Sequence, residues 1–178
     1  MVIGLMNYSI PKSIAKALIA FVLITLAFAL VPASAEARDM TNRMGIGYKN
    51  QFANEIPGIA LQYYPGADLG LSASLGVDTQ KDSSKFGAML KLYRIIFQED
   101  NLNFYMGAGA GLVSQERAGA NESGFELMGF GGCEFFFTGL ENIGFSFEMG
   151  TAITSLSSNV RFRTFGDSPL RAGIIFYF

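Results

Sequence analysis

Leu170-Arg171-Ala172-Gly173-Ile174-Ile175-Phe176-Tyr177-Phe178 is the stretch whose reading decides the fold. With a period of two, Leu170, Ala172, Ile174, Phe176 and Phe178 share one face, while Arg171, Gly173, Ile175 and Tyr177 share the other. That is a two-faced β-strand, and one face is wholly apolar. Such a strand needs partners along both edges or it stays open to aggregation. A closed barrel supplies both.

The same alternation recurs upstream. Met44, Ile46 and Tyr48 alternate with Gly45, Gly47 and Lys49; Ile59, Leu61 and Tyr63 alternate with Ala60, Gln62 and Tyr64. Leu69, Leu71, Ala73, Leu75 and Val77 oppose Gly70, Ser72, Ser74 and Gly76. A fourth segment sets Phe86, Ala88, Leu90, Leu92 and Ile96 against Lys85, Gly87, Met89, Lys91 and Tyr93, and Arg94 breaks its pattern. Phe86, Met89, Leu90 and Tyr93 also fit a 3.6-residue period, so a helix competes there. Leu102, Phe104, Met106, Ala108, Ala110 and Leu112 then oppose Asn103, Tyr105, Gly107, Gly109 and Gly111, where three alternating glycines disfavour a helix. Phe125 to Phe135 and Ile143 to Thr151 repeat the scheme, and the final stretch is the eighth strand. The connections around Pro65-Gly66, Glu99-Asp100 and Thr138-Gly139 are brief. Residues 78–84, 114–123 and 154–168 read as longer polar loops. Brief turns on one side and long loops on the other, with an even strand count, describe a transmembrane barrel whose termini lie on the periplasmic, short-turn side.

The two faces separate a water-soluble barrel from one bathed in lipid. Half the chain is hydrophobic, with 17 Phe and 21 Gly. The face opposite the bulky residues is mostly Gly, Ser and Ala with few charges, which suits the narrow lumen of an eight-stranded barrel. Leu, Ile and Phe then point outward. In water that exterior aggregates; in a bilayer it surrounds a backbone whose hydrogen bonds are all closed. The expected fold is all-β, an eight-stranded antiparallel up-and-down transmembrane β-barrel over residues 44–178, preceded by a polar lead-in over residues 36–43.

Residues 1–35 read as a cleaved secretory signal peptide: Lys12 and Lys16, an apolar run over residues 17–31, then Ala33-Ser34-Ala35. The run is shorter than the roughly 20 residues a spanning helix needs. Cleavage falls after Ala35 or Ala37. Lys12 and Lys16 leave with the leader, so the 13 basic residues fall to 11 against 15 acidic ones, a formal charge of −4. That sign excludes nucleic acid as the partner. Cys133 is the single cysteine, which removes an intramolecular disulfide and a lipidated cysteine after the cleavage site.

The ionisable residues on the lumen face are Lys85, Lys91, Glu126, Glu134, Glu148 and Arg171, three of each sign. Unpaired buried charge is costly, so they are expected to pair across the lumen, as a rigidifying plug or as an ion path whose pairs exchange. The chain contains no histidine, which removes the usual base for serine chemistry, and with one cysteine it offers no metal constellation and no cofactor site. Glu126 and Glu134 remain as a formal acid–base pair. Gly107-Ala108-Gly109-Ala110-Gly111 lacks the helix and Gly-Lys-Ser/Thr ending of a phosphate loop and reads as lumenal packing. In the last loop, Arg161, Phe162, Arg163 and Phe165 form a mixed aromatic and basic cluster. They suit either contact with lipopolysaccharide phosphates or a partner, or a simple extension of the last hairpin.

From Met44 to Phe178 the chain resembles the small outer-membrane β-barrels of Gram-negative bacteria, the OmpA-like and OmpX-like group, most specifically in its closing strand. The resemblance implies an outer-membrane location. It also implies that Ile174, Phe176 and Phe178 form the signal read by the barrel-assembly machinery. Periplasmic chaperones and outer-membrane lipid are the further partners implied, and a monomer is expected. Enzymes of such barrels depend on histidine, which this sequence lacks. The expected function is therefore non-enzymatic, in envelope structure or surface interaction through the loops, with a narrow OmpW-like channel for a small hydrophobic or ionic solute as the alternative.

Overall fold

The computed structural model describes residues 40–50, 56–117, 119–157, 159–164 and 170–178. Within them run β1 (Met44–Asn50), β2 (Pro57–Tyr63), β3 (Leu69–Asp78), β4 (Lys85–Glu99), β5 (Leu102–Arg117), β6 (Ala120–Phe136), β7 (Ile143–Leu156), β8 (Asn159–Thr164) and β9 (Arg171–Tyr177). All pairings are antiparallel. β9 closes the barrel, pairing β1 from Gly45 opposite Tyr177 to Lys49 opposite Gly173, and β7 from Ile143 opposite Phe176 to Glu148 opposite Arg171. β8 lies on the same side of β7 as β9, with Thr151 opposite Thr164 and Leu156 opposite Asn159. Nine segments thus make eight staves, the eighth in two pieces.

Alternation governs burial along each strand. β2 and β3 switch strictly between exposed and buried positions, and the inward set is the one rich in Gly, Ser and Ala. The competing helix over the fourth segment is not formed. β4 is a strand bonded on both sides, and its register shifts between Ile95 and Phe97. That bulge inserts one residue, so odd positions that face inward up to Ile95 face outward from Phe97. Arg94 precedes the bulge and keeps the outward parity, and its Nε donates to Asp68 Oδ2 at 3.1 Å beside the short β2–β3 turn.

Two of the expected loops are sheet. Ser114 pairs with Ser123, Gln115 with Glu122, Glu116 with Asn121 and Arg117 with Ala120, so β5 and β6 stay paired through most of the expected loop. The long loop before the last strand is likewise mostly the β7–β8 hairpin. Polar composition there marks departure from the bilayer rather than from the ladder, because a water-facing hairpin carries polar residues on both faces. The asymmetry between the two ends is one of strand overhang.

The outward face stays apolar over residues 102–112 of β5, 125–135 of β6 and 143–153 of β7, with Gly and Thr the gaps in it. Each run is about 11 residues, what a tilted strand needs to cross the hydrocarbon. Leu90 is 68% exposed, Ile59 64% and Met149 63%, an exterior that only lipid satisfies. At the Phe178 end, Phe97 packs against Phe104, and Phe137 against Phe135 and Phe145, an aromatic rim of the kind found at membrane interfaces.

Candidate functional site

The inward parity of the strands gathers the polar residues in the lumen. Lys49, Lys91 and Arg171 and the carboxylates Glu126, Glu134 and Glu148 are all at most 4% exposed, three cations against three anions among the buried described residues. Glu148 on β7 is bonded by Lys91 of β4, lies 3.7 Å from Lys49 Nζ of β1, and accepts a hydrogen bond from Tyr105 at 3.2 Å. Lys91 also stands 4.6 Å above the ring of Phe130. Lys49 Nζ donates to Gln62 Oε1 at 2.7 Å, and Gln62 Nε2 donates to the Tyr64 and Tyr177 hydroxyls at 2.9 and 2.7 Å.

Glu134 departs from the expectation of ionic pairing. Each of its oxygens receives a phenol, Tyr64 at 2.7 Å and Tyr177 at 2.5 Å, with Gln62 at 3.4 Å, so charge-assisted hydrogen bonds stand in for a cation. Arg171 pairs instead with Glu126, Nη2 to Oε1 at 3.3 Å, and Thr154 Oγ1 donates to the other oxygen at 3.5 Å. Glu126 and Glu134 lie eight positions apart on β6, roughly 26 Å along a strand, which rules them out as an acid–base pair.

Glycines make the sockets. A Cβ on Gly173 would sit 2.4 Å from Lys49 Cγ, one on Gly144 2.6 Å from Glu134 Oε1, and one on Gly70 2.2 Å from the Tyr93 ring. Alternating glycines in the sequence are therefore the spaces that long inward side chains occupy. The Phe178 end is closed by Met40, Tyr64, Phe136 and Tyr177, none exposed. Ring contacts run from Tyr177 to Tyr64 at 6.0 Å, Tyr64 to Tyr93 at 5.9 Å and Tyr93 to Tyr105 at 4.9 Å. Met40 thus turns the end of the polar lead-in into a floor.

Of the six predicted lumenal charges, five belong to this buried set, and Lys85 is half-buried at the hairpin end opposite Asp78. Lys49 was missed, although its alternation with Ile46 and Tyr48 already placed it inward. Gln62 and the tyrosines were missed because composition does not single them out as site residues. The mixed loop cluster is split by strand geometry: Phe162 lies opposite Ile153 and points outward, whereas Arg161 and Arg163 lie opposite the buried Thr154 and Ala152 on the inner face. Phe165 lies outside the described residues, as does the segment expected to be a signal peptide, residues 1–35. Ile174, Phe176 and Phe178 are exposed on the outer face.

A closed antiparallel wall, an apolar exterior of bilayer height and a filled polar interior define an eight-stranded up-and-down transmembrane β-barrel. The fold is similar to that of the N-terminal β-barrel domain of Pseudomonas aeruginosa OprF, with a TM-score of 0.57 and 15% sequence identity, over 78% of this chain and 98% of that one. No protein-family model matches the sequence, and no curated protein matches it.

Proposed function

We propose that the protein is a non-enzymatic outer-membrane barrel that contributes to envelope structure and to surface interaction through its protruding hairpins. The observation that carries this reading is the filled lumen: six buried charges of balanced sign stand above a floor without exposed residues, with Lys49, Lys91, Glu134 and Glu148 linked through Gln62, Tyr64, Tyr105 and Tyr177, and Arg171 paired with Glu126. Such a network braces strands against one another and leaves a small interior little space for solute. The OprF barrel supports the membrane setting through its fold, and the leader-like residues 1–35 support export. Barrel assembly through Ile174, Phe176 and Phe178, chaperone escort and a monomeric state belong to the same proposal.

A narrow channel requires the Lys91–Glu148 and Arg171–Glu126 pairs to part. The test is single-channel recording on protein refolded into planar bilayers, alongside surface-binding assays on cells with and without the protein. Absence of defined conductance steps with loss of a surface-binding phenotype on deletion supports the proposal. Steady unitary currents in the unmodified protein favour the channel.

A further inference from the structure

Bilayer height is reached on one side of the barrel and not on the other. β5, β6 and β7 have 16, 17 and 14 residues, whereas β1 and its neighbour β2 have 7 each. A tilted strand needs about 9–11 residues to cross the hydrocarbon. β9 is equally short, but β8 carries its stave onward along β7, and β3 has 10 residues. Among the described strands, the β1–β2 face alone falls below spanning length. Its outward side chains stop at the same level. Met44, Ile46 and Tyr48 on β1, with Ile59 and Leu61 on β2, are exposed. Asn50 follows on that outward face, exposed and opposite Pro57 in the last pair of the β1–β2 ladder. Hydrocarbon does not satisfy an amide, so Asn50 marks the level at which water and headgroups meet the wall.

The other end of β1 is fixed to the rim. Met44 N donates to the Phe178 carbonyl at 3.3 Å, and Phe178 N donates to that of Met44 at 2.9 Å. From Met44 to Asn50 the strand advances about 20 Å along its own axis, which at the usual tilt is about 15 Å of height. The outward apolar band of such barrels is about 25 Å tall, so about 10 Å of hydrocarbon is unmatched on this face. A bilayer meets a short wall by thinning, at a modest cost per ångström. We propose that the β1–β2 face is a lipid-contact site of reduced height, where headgroups of the loop-side leaflet descend to Asn50 and the bilayer thins locally. The partner it fits is a lipid with short or loosely packed acyl chains. The inference rests on the membrane-barrel reading, and it holds whether or not the barrel conducts.

The chain contains no tryptophan, so a single introduced Trp reports the depth of one position. The full chain carrying Met44→Trp, Tyr48→Trp or Leu112→Trp is refolded into phosphatidylcholine liposomes whose acyl chains bear bromines either near the headgroup or near the chain end. Heat-dependent gel mobility confirms that each variant is folded, and Ile59→Trp reads the same level from β2 should Tyr48→Trp fail to fold. In a flat bilayer Tyr48, about 13 Å along β1 from Met44, lies near the mid-plane and is quenched best by the deep bromines. Thinning predicts that Tyr48→Trp is quenched best by the shallow bromines, as are Met44→Trp and Leu112→Trp at the two edges of the band. Adding Asn50→Leu lengthens the apolar run and should move the Tyr48→Trp preference about twofold toward the deep bromines, leaving Leu112→Trp in place. Deep quenching of Tyr48→Trp overturns the proposal, as does a shallow preference that Asn50→Leu leaves unmoved. Shallow quenching of Tyr48→Trp with deep quenching of Met44→Trp means that the whole barrel tilts instead, and overturns it too. Failure of the unmodified chain to fold in any bilayer or detergent overturns the membrane-barrel reading itself.

Discussion

Glu148 and Glu134 are both fully enclosed carboxylates, yet their surroundings differ in kind. Glu148 neutralises Lys91 and Lys49 together, whereas Glu134 rests on two phenols and an amide. Glu148→Gln leaves two buried ammonium groups short of an anion and should cost about 3–5 kcal/mol. Glu134→Gln keeps an acceptor for at least one phenol and should cost about 1–3 kcal/mol. Urea unfolding in liposomes, read by tryptophan-free fluorescence from the buried tyrosines, ranks the two; the reverse order would refute the assignment of Glu148 as the central counter-ion. Glu134 is held by Tyr64 and Tyr177 and Arg171 by Glu126, so their Gln substitutions should add to within about 0.5 kcal/mol, while Lys91 and Glu148 should couple strongly in a double-mutant cycle.

Among the elements, the strands show two uses of glycine. At Gly47 a Cβ would lie 1.9 Å from the Ile174 carbonyl oxygen, whereas at Gly129 it would meet nothing within 4 Å. Gly47→Ala is expected to abolish most refolding, and Gly129→Ala to leave it unchanged, both measured as the heat-modifiable fraction on a gel. The β5–β6 hairpin makes a second element-level case. Its outermost pairs, Glu116 with Asn121 and Arg117 with Ala120, stand beyond the outward apolar run, with Glu116 also bonded to Ser84. Replacing residues 116–121 by Asn-Gly, a pair suited to a two-residue hairpin turn, should change stability by less than about 1 kcal/mol. A loss of folding would place that hairpin inside the cooperative unit.

For the whole molecule, an apolar exterior and a neutral polar interior make lipid part of the folding problem. Where β9 joins β7 to β1, the ladder closes and the strands satisfy one another's backbone without water, which is the condition for a β-structure to cross a bilayer. Protein expressed without residues 1–35 should therefore be insoluble alone and compact in detergent, migrating differently before and after boiling. Protein recovered folded and monodisperse in plain buffer would overturn the membrane assignment.

Strand positions, facing and the membrane class were legible in the order of residues, because a period of two projects every second side chain to one face and the outward set is too apolar for water. The bulge at Ile96 and the sheet character of residues 114–123 were not, since both depend on what the neighbouring strand offers. Nor were the partners of the inward charges. Parity places Lys49, Lys91, Glu134 and Glu148 inside the wall, but the barrel's closure decides that Glu148 meets two lysines from distant strands and that Glu134 meets Tyr64 and Tyr177. Pattern along a chain fixes direction relative to the sheet, and only the curvature of the sheet brings opposite walls within hydrogen-bonding distance.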